Sequence, residues 1–235
     1  MRRHISNAIL PGLVLVSIFF ALKSSPEPIP ISPKYSFIEI LLRPLSAGNS
    51  IVFGLSMGFL VSSIFYWLVV FLPEKKRRRI IGANLQSQYR EFRVDCIAMF
   101  LSAMRESWPA ELPQQLTGQK AFKDYFKAPY NESQSRWDRV LSGLDDYHLK
   151  SILTELEILR EAVLYALNNI EVGDDDVFTF FHRLSRQVHK FRNTNQDYDD
   201  VKSLSHFLWE LFAGWSFIDG YRDEDIVEVM IDKVT

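Results

Sequence analysis

The chain has 235 residues, with 27 basic and 29 acidic side chains, a formal charge of −2 and one cysteine, Cys96. A single cysteine excludes a disulfide within the chain, and a near-neutral balance offers no broad basic surface for binding nucleic acid through its phosphates. The charges are also clustered, so the chain divides into stretches of different character.

Arg2 and Arg3 precede an uncharged apolar run at residues 5–22. Crossing the apolar core of a bilayer takes about 20 residues of helix, so this run is short but adequate. A cleavable signal peptide is the rival reading. Phe19-Phe20-Ala21-Leu22-Lys23 has no small-x-small site, which favours a retained helix.

Residues 23–46 follow, with five prolines at 26, 28, 30, 33 and 44. Closely spaced prolines favour extended backbone and break helices. Beyond them Phe37, Ile38, Leu41, Leu42 and Leu45 recur at helical spacing. They suit either a short amphipathic helix on a membrane surface or the start of the next span.

The second apolar run, 47–72, is uncharged throughout and stops at Glu74 and the basic collar Lys75, Lys76, Arg77, Arg78 and Arg79. Short loops rich in Lys and Arg stay on the cytoplasmic side. Both termini are therefore expected in the cytoplasm, with 23–46 forming an outer loop and the collar resting against lipid headgroups. Ser50, Gly54, Gly58 and Ser62 recur every four residues along this run. In lipid, small side chains let helices approach closely. The stripe predicts packing either against the first helix, where Ser17 and Ala21 are also four apart, or against a second copy of the chain. Neither span has an ionisable residue in its core, which argues against a transporter or pump.

Residues 80–235 read as one cytosolic helical domain, following a membrane hairpin at 1–79. Tyr89, Phe92, Cys96, Ile97, Phe100 and Met104 mark one helix. Leu149, Ile152, Leu156, Leu159, Val163, Ala166 and Ile170 alternate three and four apart, as packed helices require. Val177, Phe181, Leu184, Val188 and Phe191 make a third stripe, and Val201, Leu204, Leu208, Leu211, Trp215 and Ile218 a fourth. Shorter elements are expected near 114–127, 131–144 and 223–234. Asp174-Asp175-Asp176, Asp199-Asp200 and Asp223-Glu224 stand where acidic side chains cap helix starts. For the Asp triplet, capping is preferred to metal binding. Trp108, Trp137, Trp209 and Trp215 read as core and interface aromatics.

The domain carries 17 basic against 26 acidic residues, so direct nucleic-acid binding is not expected. No Gly-rich phosphate loop, cysteine pair, His-x-x-x-His or Gly-x-Ser-x-Gly occurs, so no cofactor, metal or catalytic residue is assigned. Arg183 and His189 resemble the Arg–His motif of HEPN-type helical ribonucleases. That resemblance implies an acid/base histidine and a phosphate-holding arginine. An uninterrupted helix would turn the two to different faces, and a basic outer face is the ordinary alternative.

The whole layout (paired spans, collar, all-helical domain) resembles the two-helix transmembrane effectors of bacterial antiphage abortive-infection systems, including membrane-protein effectors of some retrons. The resemblance implies a bacterial inner-membrane toxin kept silent by a companion, such as a reverse transcriptase with its RNA–DNA hybrid. On release it would damage the membrane. A membrane-tethered scaffold with a helical partner-binding domain is the alternative.

Overall fold

A computed structural model describes residues 2–26, 47–216 and 220–234. Among the described residues the chain is all-α apart from one two-stranded ribbon, and it forms two compact units, Met1–Lys76 and Arg77–Thr235. The proline-rich stretch and the Phe37–Leu45 segment fall within 27–46, outside the described residues.

In the first unit, α1 (Arg2–Lys23) packs against α2 (Asn49–Tyr66). The half-buried or buried positions of the first helix and the turn after it include Leu10, Val14, Ser17, Ala21 and Ser24, a seam with three- and four-residue steps. On α2 the matching face holds Val52, Phe53, Ser56, Phe59 and Leu60, with Ser56 buried. Large side chains point outward instead: Leu15 is 68% exposed, Leu55 71% and Phe65 65%. A π-helical stretch, Trp67–Phe71, comes next, then α3, Leu72–Ala103. Pro73 lies in the first turn of α3. It has no N–H to give residue 69, and its ring crowds that carbonyl; the widened turn ahead of it relieves both problems.

The second unit is built on the core face of α3, where Tyr89, Phe92, Cys96, Ile97, Phe100 and Leu101 are all buried. Two short helices, α4 (Leu112–Gln115) and α5 (Gln119–Lys127), divide the expected 114–127 element at Gly118. The 131–144 element starts later than its pattern suggests. Asn131 Oδ1 accepts the N–H groups of Ser133 and Gln134 in a turn, and α6 (Arg136–Gly143) begins behind a Ser135/Asp138 capping box. Every residue of the 149–170 seam is buried, six of them on α7 (Asp146–Asn169) and Ile170 just beyond it. The 177–191 stripe is likewise buried along α8 (Asp175–Lys190) and the 3-10 turn after it.

The fourth stripe needs correction. Its helix, α9 (Tyr198–Ala213), stops at Gly214, whose φ of 66° is left-handed. A glycine at this position ends helices because it lacks the Cβ that disfavours that conformation. Trp215–Ser216 (β1) then pairs antiparallel with Gly220–Tyr221 (β2), Trp215 opposite Tyr221. Ile218 lies outside the described residues. The last helix, α10, spans Ile226–Asp232.

The core is markedly aromatic. Phe100 lies with ring centroids 5.3 Å from Trp137, 5.4 Å from Phe212 and 6.1 Å from both Phe122 and Phe126. Burying each such ring contributes about 1.5–3 kcal/mol, with more from edge-to-face geometry.

Candidate functional site

The small-residue stripe has a definite place in the first unit. Ser50, Gly54, Gly58 and Ser62 are all exposed, and a Cβ built on Gly54 or Gly58 would meet, beyond its chain neighbours and the nearby backbone of its own helix, no atom of the described residues within 4 Å. The helical repeat explains this. Gly54 and Gly58 lie two residues either side of buried Ser56, and two residues turn about 200° around a helix. The face that receives α1 is therefore opposite the stripe. Ser17 and Ala21 belong to the seam and meet the Ser56 face.

The collar divides between two settings. Arg77 Nη2 donates to Asn169 Oδ1 at 2.7 Å, and Arg78 Nη2 donates to the Glu171 carbonyl at 2.6 Å. Both guanidinium groups thus sit at the C-terminal end of α7, where unpaired carbonyls concentrate negative partial charge. Lys75, Lys76 and Arg79 are exposed. Sequence pattern alone indicated lipid contact for all five.

Inside the second unit lies a polar group that the sequence stripes do not reveal. Arg93, 2% exposed, donates through Nη1 to Asp225 Oδ2 at 2.6 Å and to the Tyr89 hydroxyl at 3.0 Å. Its Nη2 donates to the Phe212 carbonyl at 3.1 Å, and the guanidinium lies 5.0 Å from the Phe212 ring centroid. Tyr89 donates its own hydroxyl hydrogen to Asp225 at 2.8 Å. Burial pushes the Tyr89 hydroxyl well above its ordinary pKa; the Arg93 charge opposes that shift and the Asp225 carboxylate adds to it. The available signal was Arg93 itself, a charge directly after Phe92 and four residues past Tyr89 on an apolar face.

Two clefts flank the Arg222–Asp225 segment. One, of about 630 Å³, is lined by Arg90, Arg93, Lys120, Asp124, Asp223 and Glu228, among others. The other, of about 600 Å³, carries Arg183, Gln187, His206 and Glu210 over Phe207 and Trp215. Gln119 borders both, and its buried Oε1 has no hydrogen-bond partner among the described residues. In the second cleft, mixed charge over an apolar floor suits a polar segment of another protein better than a bare phosphate. Arg183 and His189 share the unbroken α8, but Arg183 lines this cleft together with His206 rather than with His189.

Carboxylates also meet where α3 faces α7. Burial raises the Glu155 pKa, and the charge of Asp95 raises it further. Burial pushes the Cys96 thiol well up too, with Glu155 and Asp95 adding to it, so the thiolate needed for reactivity is suppressed. In the Asp triplet, Asp174 Oδ1 accepts the Asp176 N–H at 2.9 Å and caps α8. Among the described residues no three His, Cys, Asp or Glu side chains converge at metal-binding distances.

No known family model, characterised protein or solved structure matches the chain.

Proposed function

We propose that the chain is a multi-pass protein of a bacterial inner membrane, both termini cytoplasmic, that impairs the membrane when a partner releases it. Carrying this reading is the exposed stripe Ser50, Gly54, Gly58 and Ser62, which faces away from α1 on a hairpin whose outer surface is large and apolar. In water such a surface is costly, whereas in lipid it needs no cover, and small residues then supply the contact through which copies assemble. Asn49–Ala103 is long and apolar enough to cross a membrane by length and composition, and Ile9–Lys23 is a shorter apolar helix.

The helical domain restrains the assembly by binding a companion in the mixed-charge clefts beside Arg222–Asp225. In an antiphage setting that companion is a reverse transcriptase holding its RNA–DNA hybrid, bound through its protein surface. Expression of the chain alone, with membrane potential and viability followed in the same cells, tests the reading. Depolarisation ahead of growth arrest is expected. Normal potential with the protein correctly inserted and no inhibitor present would overturn it.

A membrane-tethered scaffold is the second reading. It is favoured by Tyr147, Ile158 and Tyr165, exposed along one face of α7 and 67%, 43% and 54% accessible. It predicts full activity for the helical domain on an unrelated membrane anchor.

A further inference from the structure

Three of the five tryptophans border one cavity. Trp137 from α6, Trp209 from α9 and Trp215 from β1 line a space of about 290 Å³ together with Ser205 and His206. Each indole is only half-buried. Trp137 and Trp209 meet at 5.2 Å between ring centroids with their planes 50° apart, forming a corner rather than a stack. Both rings also pack on buried Phe122, at 6.0 and 5.8 Å, and Trp209 Nε1 donates to the Tyr221 hydroxyl at 3.4 Å. The Trp137 and Trp209 walls are thus fixed by the core and by β2, so little ordering of these two remains to be done when a ligand enters.

We propose that this cavity binds a quaternary ammonium group, a methylated cation of the choline or betaine type. Indole faces attract cations more strongly than any other side-chain ring, and enclosing aromatic walls suit a cation that carries methyl groups instead of N–H donors. Among the described residues no carboxylate lines the cavity and its polar groups come from Ser205 and His206 alone, so a primary ammonium would recover few of the water hydrogen bonds it gives up, whereas a methylated one has none to lose. The ammonium groups of Lys123 and Lys127 lie 4.5 and 5.5 Å from the centroid of the Tyr221 ring that holds Trp209. The attraction therefore comes from the indole faces themselves and not from a surrounding negative field. The cavity shares Trp215 and His206 with the second cleft, but its binding of a methylated cation does not depend on the membrane reading.

The test uses the full chain in a detergent that lacks a choline headgroup. Tryptophan fluorescence is followed while tetramethylammonium, choline or 3,3-dimethylbutanol, the neutral isostere of choline, is added. A saturable change with both cations and none with the isostere is expected, weakened about tenfold by Trp215→Leu. Trp209→Phe keeps an aromatic wall but weakens its attraction, and serves if the Trp215 variant does not fold. Glycine betaine and glycerophosphocholine then separate a free methylated cation from a lipid headgroup as the source. Equal binding of the neutral isostere, no saturable change, or unaltered affinity in a folded tryptophan variant would each overturn the proposal.

Discussion

Arg93 Nη1 lies 2.6 Å from Asp225 Oδ2, joining residues 132 apart in sequence across the core of the second unit. The other Asp225 oxygen caps α10, accepting the Val227 N–H at 2.9 Å. One carboxylate therefore neutralises a buried guanidinium and starts the last helix. Asp225→Asn keeps an acceptor for the cap but removes the charge. It is expected to destabilise the domain by about 3 kcal/mol or more, because Arg93 is left uncompensated. Urea unfolding measures it, and adding Arg93→Met should cost less than the sum of the two single changes.

Glu155→Gln should act in the opposite direction. With its pKa raised in the folded chain, Glu155 holds a proton more tightly there than when unfolded. The stability this brings is complete below the unfolded value and is lost as pH rises through the folded one. At about pH 7 the native chain holds a charged carboxylate in an unfavourable place, so the glutamine variant should melt higher. The advantage should close as pH falls towards about 4. Thermal unfolding at several pH values reads this directly; a gap that is constant with pH would mean that charge is not the cause.

Gly143 should tolerate no side chain. A Cβ there would lie 2.0 Å from the Ala103 carbonyl oxygen, a backbone atom held at the end of α3. Gly143→Ala is expected to cost at least about 2–3 kcal/mol, towards the upper end for overpacking. Loss of folded yield of the full chain in detergent, or an early urea midpoint, would register it.

The two faces of α2 should respond differently to bulk. Gly54→Ile with Gly58→Ile alters only the exposed stripe, so the hairpin should insert while crosslinked oligomers and membrane damage disappear. Ser56→Ile alters the buried face towards α1 and should disturb the hairpin itself. If oligomers survive the double glycine change in a correctly inserted protein, the stripe is not the assembly surface.

The collar should separate in the same way. Arg77→Ala with Arg78→Ala removes two hydrogen bonds at the end of α7 and is expected to lower domain stability by about 1 kcal/mol. Lys75→Ala with Lys76→Ala should reduce binding to anionic vesicles and leave the unfolding midpoint unchanged.

Much of this architecture follows from local pattern. Uncharged runs, the 149–170 seam and the 177–191 stripe identify their helices because periodic burial requires periodic apolar residues. Asp174 caps its helix as the acidic triplet suggested, because a side-chain oxygen in reach of a free N–H is a local matter. The last helix, however, is capped by Asp225 and not by Asp223 or Glu224, and Asp199 and Asp200 lie inside the first turn of α9. Gly214 was locally legible as well, yet the apolar spacing running on to Trp215 and Ile218 outweighed it. A stripe of the right period cannot say where the backbone turns.

What only the tertiary structure decided depends on which elements meet. That Arg77 and Arg78 hold the end of α7, that Arg183 shares a cleft with His206, and that three tryptophans border one cavity all require chain segments far apart in sequence to be brought together. The stripe on α2 shows the division most simply. Its spacing was visible in the sequence, but a repeat of four names one side of a helix without saying what lies against it. Ser56, two residues away from either glycine, took α1 instead, and that left the stripe facing outward.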